Sequence, residues 1–64
     1  QQWKEVWDYE GTLLVSDYYY SEEALEYYII YVNRQRSGHL YQKIEKSYAG
    51  DGTYSGKRVY TYEG

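Results

Sequence analysis

Near the start of the chain, Trp3, Trp7 and Tyr9 alternate with Lys4, Asp8 and Glu10, and only Glu5 interrupts the apolar side. A period of two is the mark of a strand covered on one face. Glu10-Gly11 supplies a turn, and Thr12 to Tyr19 is again rich in strand formers, so these two stretches predict a hairpin. The alternation stops at Tyr18-Tyr19-Tyr20, where the chain is expected to change direction.

The next stretch carries a different period. Leu25, Tyr28, Ile29 and Val32 fall at i, i+3, i+4 and i+7, the spacing of one helical stripe. Ser21 fits an N-cap, and Glu22 and Glu23 suit the positive end of a helix dipole. Arg34 and Arg36 suit the negative end, and Gly38 a left-handed stop. These signals predict a helix over residues 22–36.

Beyond Gly38, Leu40, Ile44 and Tyr48 share one side of an extended segment with Gln42 and Lys46, while Tyr41, Lys43 and Glu45 share the other. Ala49-Gly50-Asp51-Gly52 is the strongest turn signal in the chain. Thr53 to Tyr62 returns as strand, with Gly56 at a bulge or second turn. The expected fold is therefore α+β, a single domain over residues 1–64. A four-stranded, mostly antiparallel sheet carries one helix on one face, in the order strand, strand, helix, strand, strand.

Composition sharpens this picture. Twelve of 64 residues are tyrosine and none is phenylalanine, so almost every ring carries a hydroxyl, which suits contact surfaces with one wet end. There is no cysteine and one histidine, which leaves neither a disulfide framework nor a histidine/cysteine metal cluster. The expected core is Trp3, Trp7, Leu13, Leu14, Val15, Leu25, Ile29, Val32, Leu40, Ile44 and Val59. The longest apolar run, Tyr27 to Val32, is far short of the roughly 20 residues of a membrane span. With no secretory signal read at the N-terminus, the expected location is the cytoplasm of a host cell. Charge is uneven: acidic residues dominate residues 1–33 and basic ones residues 34–64, an asymmetry able to steer a charged partner.

No catalytic constellation emerges, and the chain is read as a non-enzyme without cofactor or metal. Gly52-Thr53-Tyr54-Ser55-Gly56-Lys57-Arg58 fails as a phosphate loop because Asp51 takes the first glycine position, Arg58 replaces the hydroxyl residue, and no helix follows. His39 lacks the partners that a metal or relay needs and is read as a solvated loop residue. Glu22, Glu23 and Glu26 are explained by the helix start. On the expected helix, Tyr27, Ile30, Tyr31 and Arg34 are left on the outward side, an aromatic patch with an arginine at its edge, as at interface hot spots. That face also offers a homodimer contact. A second surface is the C-terminal hairpin, where Tyr41, Lys43, Tyr54, Lys57, Arg58, Tyr60 and Tyr62 mix basic and aromatic groups suited to single-stranded nucleic acid. An acidic overall charge places that reading second.

The layout of a hairpin, Ser21-Glu22-Glu23-Ala24-Leu25-Glu26-Tyr27, Lys43-Ile44-Glu45-Lys46, a Gly-Asp-Gly turn and Gly56-Lys57-Arg58-Val59-Tyr60 resembles small phage-encoded proteins that inhibit bacterial machinery. Among these are some anti-CRISPR proteins and a short phage inhibitor of host RNA polymerase. The resemblance implies a stoichiometric inhibitor that binds a larger protein, such as a CRISPR or other nucleic-acid-handling protein, and blocks its functional surface. The tyrosine excess departs from the usual composition of that group and equally fits a designed or laboratory-selected binder.

Overall fold

The computed structural model describes residues 2–62, and these form five strands and no helix. The strands are β1 (Trp3–Glu10), β2 (Leu13–Ser21), β3 (Ala24–Arg36), β4 (His39–Ala49) and β5 (Tyr54–Thr61). They pair antiparallel in chain order, a five-stranded meander. The expected α+β architecture with a helix on a four-stranded sheet is thus corrected to an all-β sheet. No helix among the described residues could cross a membrane.

The segment expected to be helical is the central strand, β3, and its composition explains why. Tyr27-Tyr28-Ile29-Ile30-Tyr31-Val32 is an unbroken run of aromatic and β-branched residues, which lose side-chain freedom in a helix and fit a pleated surface. A strand whose two faces are both partly covered needs apolar residues at odd and even positions alike. With Leu25 two residues ahead of it, this run supplies the i+3, i+4 and i+7 positions Tyr28, Ile29 and Val32, so the helical stripe was a by-product of two-sided hydrophobicity. Ser21 caps nothing. It closes the β2–β3 ladder opposite Ala24, and Glu22-Glu23 form the loop between them.

Among the described residues no second layer covers this sheet. None of the hydrophobic side chains is fully buried, and Trp3, Trp7, Tyr9, Tyr27, Tyr54, Val59 and Tyr62 are exposed. The expected core therefore does not close: most of its residues are half-buried, and two tryptophans and Val59 face solvent. The radius of gyration is 13.5 Å, against about 11 Å for a compact chain of this length. The accessible surface is 4979 Å², above the roughly 4,400 Å² of a compact monomer.

Register sorts the side chains onto two faces. One carries a tyrosine ladder running across four strands. Tyr18 and Tyr28 stack at 4.9 Å, Tyr28 and Tyr48 at 5.0 Å, and Tyr48 meets Tyr54 edge-on at 5.7 Å. Val6, Ile30, Val32, Ile44 and Val59 share this ladder face. The opposite, tryptophan face carries Trp3, Trp7, Tyr19, Tyr27, Ile29 and Tyr31, with Tyr19 stacked on Tyr27 at 4.3 Å. Such cross-strand stacks each add roughly 0.5 to 1.5 kcal/mol beyond burial.

Each hairpin loop is tight, and each returning strand holds one extra residue. Gly11 (φ +64°) and Ser37-Gly38 (φ +53° and +79°) turn with positive torsions, as two-residue hairpin loops require. Glu22 and Glu23 do the same at φ +51° and +71°, although neither is a glycine or asparagine. The pairing skips Val15, Glu26, Tyr41 and Ser55, one residue on each of β2 to β5, bulges that strengthen the local twist. Gly50 lies so close to β3 that a Cβ there would collide with the Leu25 carbonyl oxygen, while its own N–H donates to the Glu26 carbonyl at 2.9 Å.

Two stability measurements follow from this arrangement. Tyr28→Ala removes two stacked contacts and Tyr27→Ala one, so urea unfolding is expected to show a loss of roughly 2 to 3 kcal/mol for the first and about 1 kcal/mol for the second. Equal losses would mean that the ladder is not the main brace. Replacing Glu22-Glu23 by Asn-Gly relieves two left-handed non-glycine residues, and a gain of about 1 to 2 kcal/mol is expected, read as a higher melting temperature.

Candidate functional site

The two faces differ in charge as well as in shape. On the ladder face, Lys4, Arg34, Arg36, Lys46 and Lys57 stand against Asp8 and Glu10, and Asp8 is occupied by the Ser16 hydroxyl, which donates to Oδ2 at 3.0 Å. Lys46 and Lys57 lie directly opposite each other between β4 and β5, a like-charge pair that destabilises the ladder. Around the tyrosines this gives an apolar centre with a basic rim. The Lys4 ammonium lies 5.9 Å from the Tyr20 ring centre, a cation–π contact at one edge of that rim.

On the tryptophan face the charges are clustered. Asp17 is only 4% exposed, beneath Trp7 and beside Glu5 and Tyr19. The Tyr19 hydroxyl donates to Asp17 Oδ2 at 3.0 Å, whereas Oδ1 is buried without a partner. Burial pushes the Asp17 pKa up, and the neighbouring Glu5 carboxylate adds to the rise, against the lowering effects of Tyr19 and Trp7. The Tyr19 phenol is also held above its ordinary range, first by Glu5, then by burial and Asp17. At the other end of this face, Arg58 donates to the Tyr60 hydroxyl, which donates to Glu45 Oε1, both at 3.4 Å, and Lys43 lies 5.4 Å from the Tyr31 ring centre. Among the described residues no cluster of histidine, aspartate and glutamate is arranged to hold a metal ion.

The residues expected to form one patch on a helix are divided by the pleat. Tyr27 and Tyr31 lie on the tryptophan face, Ile30 and Arg34 on the ladder face, so the four cannot engage one partner surface together, and a homodimer through a helix face has no helix to form it. The C-terminal basic and aromatic set divides likewise. Lys43, Arg58 and Tyr60 lie on the tryptophan face and Lys57 on the ladder face. Tyr41 is the bulged residue of β4, with the Arg36 guanidinium 4.7 Å from its ring centre, and its carbonyl accepts from the Tyr62 N–H. His39 is exposed at the first position of β4.

Sequence reasoning passed over Asp17, Lys46 and the exposure of Trp3 and Trp7. Asp17 sits among strand formers, where a carboxylate is a misfit worth noticing. The opposition of Lys46 and Lys57 is invisible without the register.

Folding raises the Asp17 pKa, so the folded chain holds that proton more tightly than the unfolded one. The resulting stability is complete below the ordinary value of 3.8 and is lost as pH rises through the folded value. Above the folded value the charged, half-partnered carboxylate is a cost. Asp17→Asn is expected to stabilise the dilute protein by about 1 to 3 kcal/mol at pH 7 and to bring no gain below the ordinary aspartate pKa, as thermal melts across pH would show.

Comparison with known proteins found no matching family model, no matching curated protein and no matching solved structure.

Proposed function

We propose that the chain is a non-enzymatic protein-binding module whose ladder face docks on an acidic-rimmed apolar patch of a larger protein, in keeping with the inhibitor role that the phage-protein resemblance implies. The observation that carries this reading is the uncovered tyrosine row flanked by Lys4 on one side and by Lys46 and Lys57 on the other, with Arg34 beyond the aliphatic row of Val32, Ile44 and Val59. Apolar centre and polar rim are the anatomy of a docking surface. The facing lysines add an argument from cost, because a repulsive pair gains most from a carboxylate supplied by a partner.

Single-stranded nucleic acid is less well matched. Tyr28 and Tyr48 spend their π-faces on each other and on Tyr18, leaving ring edges outward, whereas base stacking needs an open ring face.

The test exploits opposite signs. Lys46→Glu places an acid opposite Lys57, so stability should rise by roughly 0.2 to 1 kcal/mol, while affinity for a captured bacterial protein should fall by tenfold or more. Arg58→Glu, on the other face, should leave capture unchanged. Retention equal in both variants, or tight salt-sensitive binding of labelled single-stranded RNA or DNA lost in Lys46→Glu, would overturn the protein-docking reading.

A further inference from the structure

In two rows of the tryptophan face, side-chain size falls from one edge of the sheet to the other. One cross-strand row reads Trp7, Asp17, Ile29, Ser47, Gly56 from β1 to β5. The neighbouring row runs through Tyr19, Tyr27 and Ala49. In these two rows bulk lies over β1 and β2 and small side chains lie over β4 and β5, whereas Lys43, Glu45, Arg58 and Tyr60 fill the rows beyond. Trp7 is 50% exposed. At the far end of its row a hollow opens beside Ile29, Ser47 and Gly56, where a Cβ added at Gly56 would meet nothing within 4 Å.

We infer that two copies of this chain pack tryptophan face to tryptophan face about a two-fold axis along β3, each inserting Trp7 into the Gly56 hollow of the other. Rotation about that axis lays β1 of one copy over β5 of the second and keeps the rows level. Trp7 then meets Gly56, Tyr19 meets Ala49 and Ile29 meets its own counterpart, large against small at the margins and equal at the centre. An aligned packing angle of about 30° between sheets shifts facing edge residues by about 5 Å, within the reach of an indole.

Two further observations fit the same operator. One step along the edge strands, Tyr9 comes opposite Arg58, which suits a cation–π contact. Of the charges on the two edge strands, those on the facing side are Glu5 of β1 and Arg58 of β5, which are opposite in sign. The described sheet measures 43 Å by 23 Å, a footprint just under about 1,000 Å² and thus above the roughly 800 Å² that each partner gives to a standard interface.

This inference does not depend on the ladder-face partner, and its test is separate. Sedimentation velocity on the whole chain over a hundredfold concentration range is expected to show a monomer–dimer equilibrium. Gly56→Leu fills the hollow without crowding its own chain, and Trp7→Gly removes the knob; each should weaken dimerisation at least tenfold, with circular dichroism confirming that the strands persist. The exchanged variant Trp7→Gly/Gly56→Trp moves knob and hollow to opposite edges and should regain dimerisation, because a two-fold axis relates both edges. Lys46→Glu should leave the equilibrium unchanged. A monomer at every concentration, a dimer insensitive to Gly56→Leu, or a dimer lost in Lys46→Glu would overturn the proposed interface.

Discussion

Cross-strand contact between tyrosine rings is the interaction on which this structure depends. A single sheet without a covering layer has no interior, so its side chains must shield one another laterally across neighbouring strands rather than against a second element. Tyr18, Tyr28 and Tyr48 do so by stacking in series, and Tyr19 with Tyr27 repeats the device on the reverse side. Flat rings at strand spacing cover the backbone beneath them while their hydroxyls reach water. Phenylalanine would offer the same stack without the wet end, which gives a physical reason for twelve tyrosines and no phenylalanine.

Lateral shielding also explains how binding surfaces and framework come to be the same residues. In a domain with a core, the groups that hold the fold and the groups that meet a partner are separated by depth. Here both layers of that division collapse into one sheet, and the distinction is made by face and by position within a row. Tyr28 braces β2, β3 and β4 from the middle of the ladder, while Lys46 and Lys57 stand a row away with an electrostatic cost that the sheet itself does not relieve. On the reverse side, Asp17 plays the corresponding part, a carboxylate whose second oxygen finds no donor among the described residues.

The strands at the two ends of the chain were legible because their punctuation follows ordinary turn chemistry. Gly11 and Asp51-Gly52 mark loops where positive torsions or an Asx contact are needed, and Thr53 indeed donates its N–H to Asp51 Oδ1 at 2.9 Å. The centre was not legible. Glu22-Glu23 adopts a turn that its residues disfavour, so the sequence there resembles a helix start, and the two-sided run from Tyr27 to Val32 satisfies both periods. The candidate patch inherited that error: Tyr27 and Arg34 lie a turn or two apart on a helix but on opposite sides of a strand. Lys46 and Asp17 needed the register of neighbouring strands, a long-range property that no local window carries.

The skipped residues Val15, Glu26, Tyr41 and Ser55 set the parity of the whole sheet. Beyond each of the first three, residues of equal parity face one another, as Val6 faces Tyr18, Tyr18 faces Tyr28 and Tyr28 faces Tyr48. Which side a residue occupies is therefore a property of the hairpin rather than of the residue. Loss of Val15 alone would carry Trp3, Glu5 and Trp7 through the plane of the sheet to the side now held by Lys4, Val6 and Asp8. A one-residue deletion would in this way exchange the surface of β1 without altering a single side chain on it, so the identity of each face is written in chain length as much as in composition.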